Sequence, residues 1–79
     1  MDRKPSQEVK NWIEQAIAMD QENGLTYELG WDHAVYADFF KRSGNTIKAK
    51  EILSNAIDIF KECGADGWVQ KIEQELAKL

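Results

Sequence analysis

Few side chains in this sequence have types that do chemistry. His33 is the only histidine, with Asp32 beside it and Glu28 and Asp38 near. A metal centre or a general base would need further ligands or an orienting carboxylate on the same face. Adjacent residues point in different directions on a helix, however, and no second His or Cys stands at ligand spacing. His33 is therefore expected in a packing face. Cys63 is the only cysteine and has no histidine near it in sequence. It falls where a helix should end, and the partial negative charge there disfavours a thiolate, so it is expected as a small packing residue. The carboxylates Asp20 with Glu22, Asp32 with Asp38 and Glu73 with Glu75 form no pair in an apolar pocket that the sequence shows, and a solvated helix surface is expected for them. No glycine-rich phosphate loop or nucleophile motif occurs. The expectation is a protein that is not an enzyme and has no cofactor and no metal.

Composition narrows the class further. Seventy-nine residues allow one domain, residues 1–79, with a modest core. Hydrophobic residues make up 43% and charged residues 30%, which suits a folded domain rather than a disordered chain. The net charge is −4 with acids and bases interspersed, so there is no basic stripe to neutralise phosphates and nucleic acid is not expected as a partner. No apolar run approaches transmembrane length, and Met1-Asp2-Arg3-Lys4 lacks the apolar core of a signal peptide. Membrane association is not expected. A single cysteine excludes an internal disulfide, and a reducing, cytoplasmic setting is the simplest expectation.

The elements that position these residues all have helical periodicity, with no alternating strand pattern. Val9, Ile13, Ala16 and Ile17, widened by Trp12, mark a first helix over about 6–22. Pro5 in its first turn or Ser6 as its cap would start it, and Asn23-Gly24 would close it. Leu29, His33, Tyr36, Ala37 and Phe40 mark a second helix over about 25–42, ending at Ser43-Gly44-Asn45. Gly30 inside that helix costs about 1 kcal/mol relative to alanine, which points to close packing there. Ala49, Leu53, Ala56 and Phe60 mark a third over about 46–62, capped by Asn45 and ended by Cys63-Gly64. Val69, Ile72, Leu76 and Leu79 mark a fourth over about 66–79, with Asp66 suited to be its cap. Small residues among large ones (Ala37, Ala49 and Ala56 beside Tyr36, Phe40, Leu53 and Phe60) let the second and third helices approach closely.

The chain also repeats. A shift of 40 residues lays Lys10 on Lys50, Ala16 on Ala56, Ile17 on Ile57, Glu22 on Glu62 and Gly24 on Gly64. Apolar positions correspond as well: Trp12 with Ile52, Ile13 with Leu53, Met19 with Ile59, Leu29 with Val69, Tyr36 with Leu76. The first and third helices are thus one element and the second and fourth another, in the order B, A, B, A.

His33, the pair Tyr36-Ala37, Phe40, the turn residue Gly44, and then Ala49, Leu53 and Ala56 resemble the tetratricopeptide (TPR) repeat. The departures are a histidine where tryptophan is commonest, no proline after the B helix, and a period of 40 residues rather than the usual length of about 34. The long period, with Phe60-Lys61-Glu62 running into Gly64 and Trp68, is similar to the TPR arrays attached to bacterial signalling proteins. The fold expected is all-α, antiparallel helical hairpins in B-A-B-A order, with a HEAT-like pair or a plain four-helix bundle as alternatives. The resemblance implies a protein-interaction scaffold that holds a peptide or protein surface in a groove lined by the A helix. Tyr27, Trp31, Ala34, Asp38, Lys41 and Arg42 would form that groove. Ala34 and Asp38 stand where clamps for chaperone C-termini need lysine and asparagine, so that ligand is not expected.

Two further readings follow from the half-repeats at either end. The first helix has no A helix before it and the fourth no B helix after it, so each should leave an apolar stripe uncovered. Trp12, Ile13 and Ile17 would be exposed at one end, and Val69, Ile72, Leu76 and Leu79 at the other. Docking these ends would give a homo-oligomer. Alternatively the chain is the end of a longer array, the regulatory tail of a bacterial signalling enzyme. Of the three tryptophans, Trp31 is expected to face the groove, Trp68 to plug the end of the hairpin, and Trp12 to lack its natural neighbour; each is either a core residue or an aromatic anchor for a partner.

Overall fold

A glycine stands at positions 24, 44 and 64, and each ends a helix in the same way. In the computed structural model, which describes residues 6–79, these three have φ of 68°, 83° and 71°. That left-handed conformation suits glycine, which has no Cβ to clash. It turns the next amide back onto the helix: Leu25 N–H donates to Asp20 O at 2.9 Å, Asn45 N–H to Phe40 O at 2.8 Å and Ala65 N–H to Phe60 O at 2.9 Å. Orphan carbonyls are satisfied and the chain reverses within three residues.

The turns divide the chain into α1 (Gln7–Glu22), α2 (Thr26–Arg42), α3 (Thr46–Glu62) and α4 (Asp66–Ala77). The Ser6 hydroxyl caps α1 by accepting from Val9 N–H at 3.3 Å, and Asn45 caps α3 by accepting from Lys48 N–H at 3.1 Å. Pro5 and the segment before it lie outside the described residues. Two starts differ from expectation. α2 begins one residue late, after Leu25, and α4 is preceded by Ala65, with Asp66 its first helical residue; neither has a side-chain cap bond. Asp66 favours that helix through its charge in the first turn. α4 stops at Ala77, short of the chain end.

Each helix packs against the next in sequence: α1 on α2, α2 on α3, α3 on α4. The result is a compact all-α four-helix bundle. Its main core is built on α3, which contributes Ile52, Leu53, Ala56, Ile57 and Phe60, joined by Ala37 of α2 and by Val69 and Ile72 of α4. Phe60 is fully buried, which contributes about 1.5–3 kcal/mol relative to leaving it in water. Its ring lies on Gly30, where a Cβ would come within 2.8 Å of Cε1. The close packing expected at Gly30 is this contact.

α2 is covered on two sides rather than one. Ala37 and Gly30 face α3, while Phe39, absent from the expected stripe, is also buried. Phe39 follows Val35 and Tyr36 by one turn, on the side of α2 that meets α1. There the Tyr36 hydroxyl donates to Glu14 Oε2 at 2.6 Å. His33 is half-buried, its Nδ1 2.9 Å from the Leu29 carbonyl oxygen, as a residue of the packing face. Cys63 is not the packing residue expected: it is exposed, with its Sγ 3.5 Å from Phe60 O, because the turn at Gly64 carries it past the last buried position of α3.

The two apolar ends are unequal. Val69 and Ile72 are each only 7% exposed and Leu76 and Leu79 are half-buried. The uncovered stripe expected on α4 is therefore absent, because α3 covers it. The row of α4 turned away from α3 is Gln70, Glu73 and Gln74, all exposed and polar. At the other end Ile13 is buried and Ile17 half-buried against the bundle, but Trp12 is 77% exposed. No helix among the described residues is long and apolar enough to cross a membrane.

Candidate functional site

The second and fourth helices flank α3 on one side and leave a hollow of about 210 Å³ between them. Its floor is apolar: Ala37 of α2, Leu53 of α3, Ile72 of α4 and Leu79 just past its end. Ala34, Asp38 and Lys41 form the α2 wall, and Glu75 stands on the α4 wall. Helical spacing explains the set, since 34, 38 and 41 recur at four and three residues and so share one strip of α2. The volume is below the roughly 300–1,000 Å³ of pockets that enclose small ligands. It suits one apolar side chain of a longer partner, with charges of both signs at the rim.

Three of the six residues expected to form the groove, Ala34, Asp38 and Lys41, are brought together here. The other three are placed differently. Arg42 turns along its own helix, where Nε donates to Asp38 Oδ2 at 2.8 Å. Both side chains are well exposed, so the pair contributes little to stability and chiefly orients Asp38. Tyr27 is partly exposed and packs its ring edge on Phe60 at 5.9 Å between centroids. Trp31 is half-buried, 4.3 Å from Trp68 and 5.9 Å from Phe60 between ring centroids, with steep interplanar angles of 72° and 82°. It closes the head of the groove by tying α2 to α4, in place of the open aromatic anchor expected. Trp68 closes that end as expected, with Lys71 Nζ 5.2 Å from its ring. Leu53 of α3, Ile72 and Glu75 of α4, and Leu79 after α4 complete the groove. A reading of one helix at a time misses them, although the repeat already set α4 in the register of α2.

One carboxylate is out of the ordinary. Asp32 lies where α2 meets α1, and its Oδ2 is inaccessible to solvent and has no hydrogen-bond partner. Burial, the adjacent Asp20 carboxylate and then the charge of Glu28 push its pKa up from 3.8 to about 7. Like charges in a partly desolvated place favour the protonated form. The Tyr36 hydroxyl is pushed up to about 12 by burial and by its bond to Glu14. Among the described residues no three His, Cys, Asp or Glu side chains are grouped so that they could hold a metal ion.

No family model, curated protein or solved structure matches the chain. The helix geometry and the groove stand alone as guides to what it does.

Proposed function

We propose that the protein is a non-catalytic interaction module of TPR type, which binds a peptide or protein surface in the groove between α2 and α4. The observation that carries this reading is the hollow itself: an apolar floor from three helices under a rim that bears Asp38, Lys41 and Glu75. Such a site selects by shape and by local charge, with no bond made or broken. The B-A-B-A order supports the reading, because it sets two A-type helices side by side above the B-type helix α3, the arrangement that lines a repeat protein's concave face. A cytoplasmic setting is part of this proposal.

Self-association by stacking α4 of one copy on α1 of another is the second reading, favoured by the exposed Trp12. It is the weaker one, because the outer row of α4 is Gln70, Glu73 and Gln74 and offers Trp12 no apolar face.

The test is a random peptide display selection on the full chain, followed by NMR mapping with the peptides recovered. Amide shifts are expected at Ala34, Leu53, Ile72 and Glu75, and Ala34→Phe, which fills the hollow, should abolish binding. Peptides that shift none of these residues, or that bind Ala34→Phe equally well, would overturn the proposal.

A further inference from the structure

α1 and α3 are the same element 40 residues apart, yet one face has opposite fates in the two helices. On α3 that face is Ala49, Ile52, Ala56 and Ile59; its first three residues are 0%, 6% and 0% exposed, and α2 packs on it. On α1 the same places are held by Val9, Trp12, Ala16 and Met19, of which Val9 is 41%, Trp12 77% and Met19 61% exposed. The spacing of three, four and three residues makes these four a single stripe. A surface hollow of about 300 Å³ runs from Trp12 and Ala16 to Val35 and Asp32 of α2. The internal comparison defines the shape of the occupant: a helix, lying as α2 lies on α3.

Charge defines its chemistry. Among the described residues α1 carries Glu8, Glu14, Asp20 and Glu22 against one cation, Lys10. Glu28 of α2 adds its charge to the same side, close to Asp20 and Asp32. A second copy of α1 would set two acidic helices against each other. The outer row of α4 is neutral to acidic, and α2, α3 and α4 each mix cations with carboxylates, so no described helix of this chain is both apolar-striped and basic. We propose that the α1 face formed by Val9, Trp12, Ala16 and Met19 docks a basic amphipathic helix of a partner protein, its apolar row on that stripe and its cations toward Asp20 and Glu28. Trp12 is the anchor, a large ring with its face open to be covered. This surface is separate from the groove between α2 and α4, so either proposal can fail without the other.

The experiment titrates the full chain with three synthetic peptides of about 18 residues, five helical turns. One has leucines at spacings of three and four with lysines elsewhere, one has the same residues scrambled, and one replaces the lysines by glutamates. Calorimetry measures the affinities, and circular dichroism confirms that each variant keeps its helix content. The lysine amphipathic peptide is expected to bind saturably while the scrambled and glutamate peptides do not. Trp12→Ala should weaken it by about 30-fold, the loss typical of an aromatic hot spot, and Glu28→Gln by several-fold; Ala34→Phe should leave it unchanged. Equal binding of the scrambled peptide, or indifference to Trp12→Ala, would reduce the surface to general acidity and overturn the proposal. Dimers of the free chain that Trp12→Ala disperses would overturn it too, by identifying a second copy as the occupant.

Discussion

Alanine at position 30 separates packing from propensity. In an ordinary helix interior Gly→Ala stabilises by about 1 kcal/mol, through lower chain entropy in the unfolded state and better helix propensity. At Gly30 the new methyl would stand 2.8 Å from Phe60 Cε1 and 2.9 Å from Cζ, where carbon atoms prefer about 3.5–4.0 Å. The ring has nowhere to go. Phe60 is 0% exposed, and Tyr27 and Trp31 meet it edge-on. Overpacking of this kind costs about 1–3 kcal/mol, so the net effect is a loss of up to about 2 kcal/mol. In a domain of this size each kcal/mol moves the midpoint by about 4–8 °C, so thermal melting followed by circular dichroism resolves it. Gly67→Ala is the internal control, because no atom lies within 4 Å of the Cβ it would add, and it should raise the midpoint. Phe60→Leu combined with Gly30→Ala should cost less than the two separately, a coupling of about 0.5 kcal/mol or more. If Gly30→Ala stabilises as Gly67→Ala does, the ring does not lie on that helix and the account of the α2–α3 contact fails.

Two other outcomes follow from the same packing. Asp32 has an ordinary pKa of 3.8 that folding raises to about 7, so between those values the folded state keeps a proton that the unfolded chain has lost. Its contribution to stability is therefore fully present below about pH 4 and falls as pH rises toward 7. Asp32→Asn should flatten urea midpoints across that window and stabilise the protein above it; an unchanged pH slope would refute the burial and crowding assigned to this carboxyl. Trp31→Ala should cost about 2 kcal/mol or more through its contacts with Trp68 and Phe60, whereas Trp12→Ala should stay within about 0.5 kcal/mol of the parent. Acrylamide quenching should correspondingly be strong for the Trp12 emission and weak for that of Trp31, measured in variants that retain one tryptophan each.

Much of this architecture is legible in the residues. The glycine after each helix and the apolar spacing locate all four helices to within about two residues. The limits come from burial being a property of neighbours. Trp12 and Ile52 hold the same place in the repeat, and only the presence of α2 over one of them makes it core. Phe39 escaped because a helix with partners on two sides has two stripes, and a reading that seeks a single face finds the stronger. Trp31 lies on the expected strip of α2, but Trp68, 26 residues after that strip ends at Arg42, takes the space in front of it. Ala34, Asp38 and Lys41 were legible because nothing from α4 fills the space between them.

The turns at Gly24, Gly44 and Gly64 put most of the packing between helices that are already consecutive, with Trp31 and Trp68 joining α2 to α4, and this shapes how the chain folds as well as what it looks like. Contacts close in sequence need little loop entropy to form, so the protein is expected to fold fast, in about the microsecond-to-millisecond range of helical bundles. The same wiring makes its stability uneven. α3 is held from both sides, whereas α1 rests on α2 alone and contributes nothing to the main cluster built on Phe60. α1 can therefore open while α2, α3 and α4 stay folded, and its amides should exchange with solvent well before theirs.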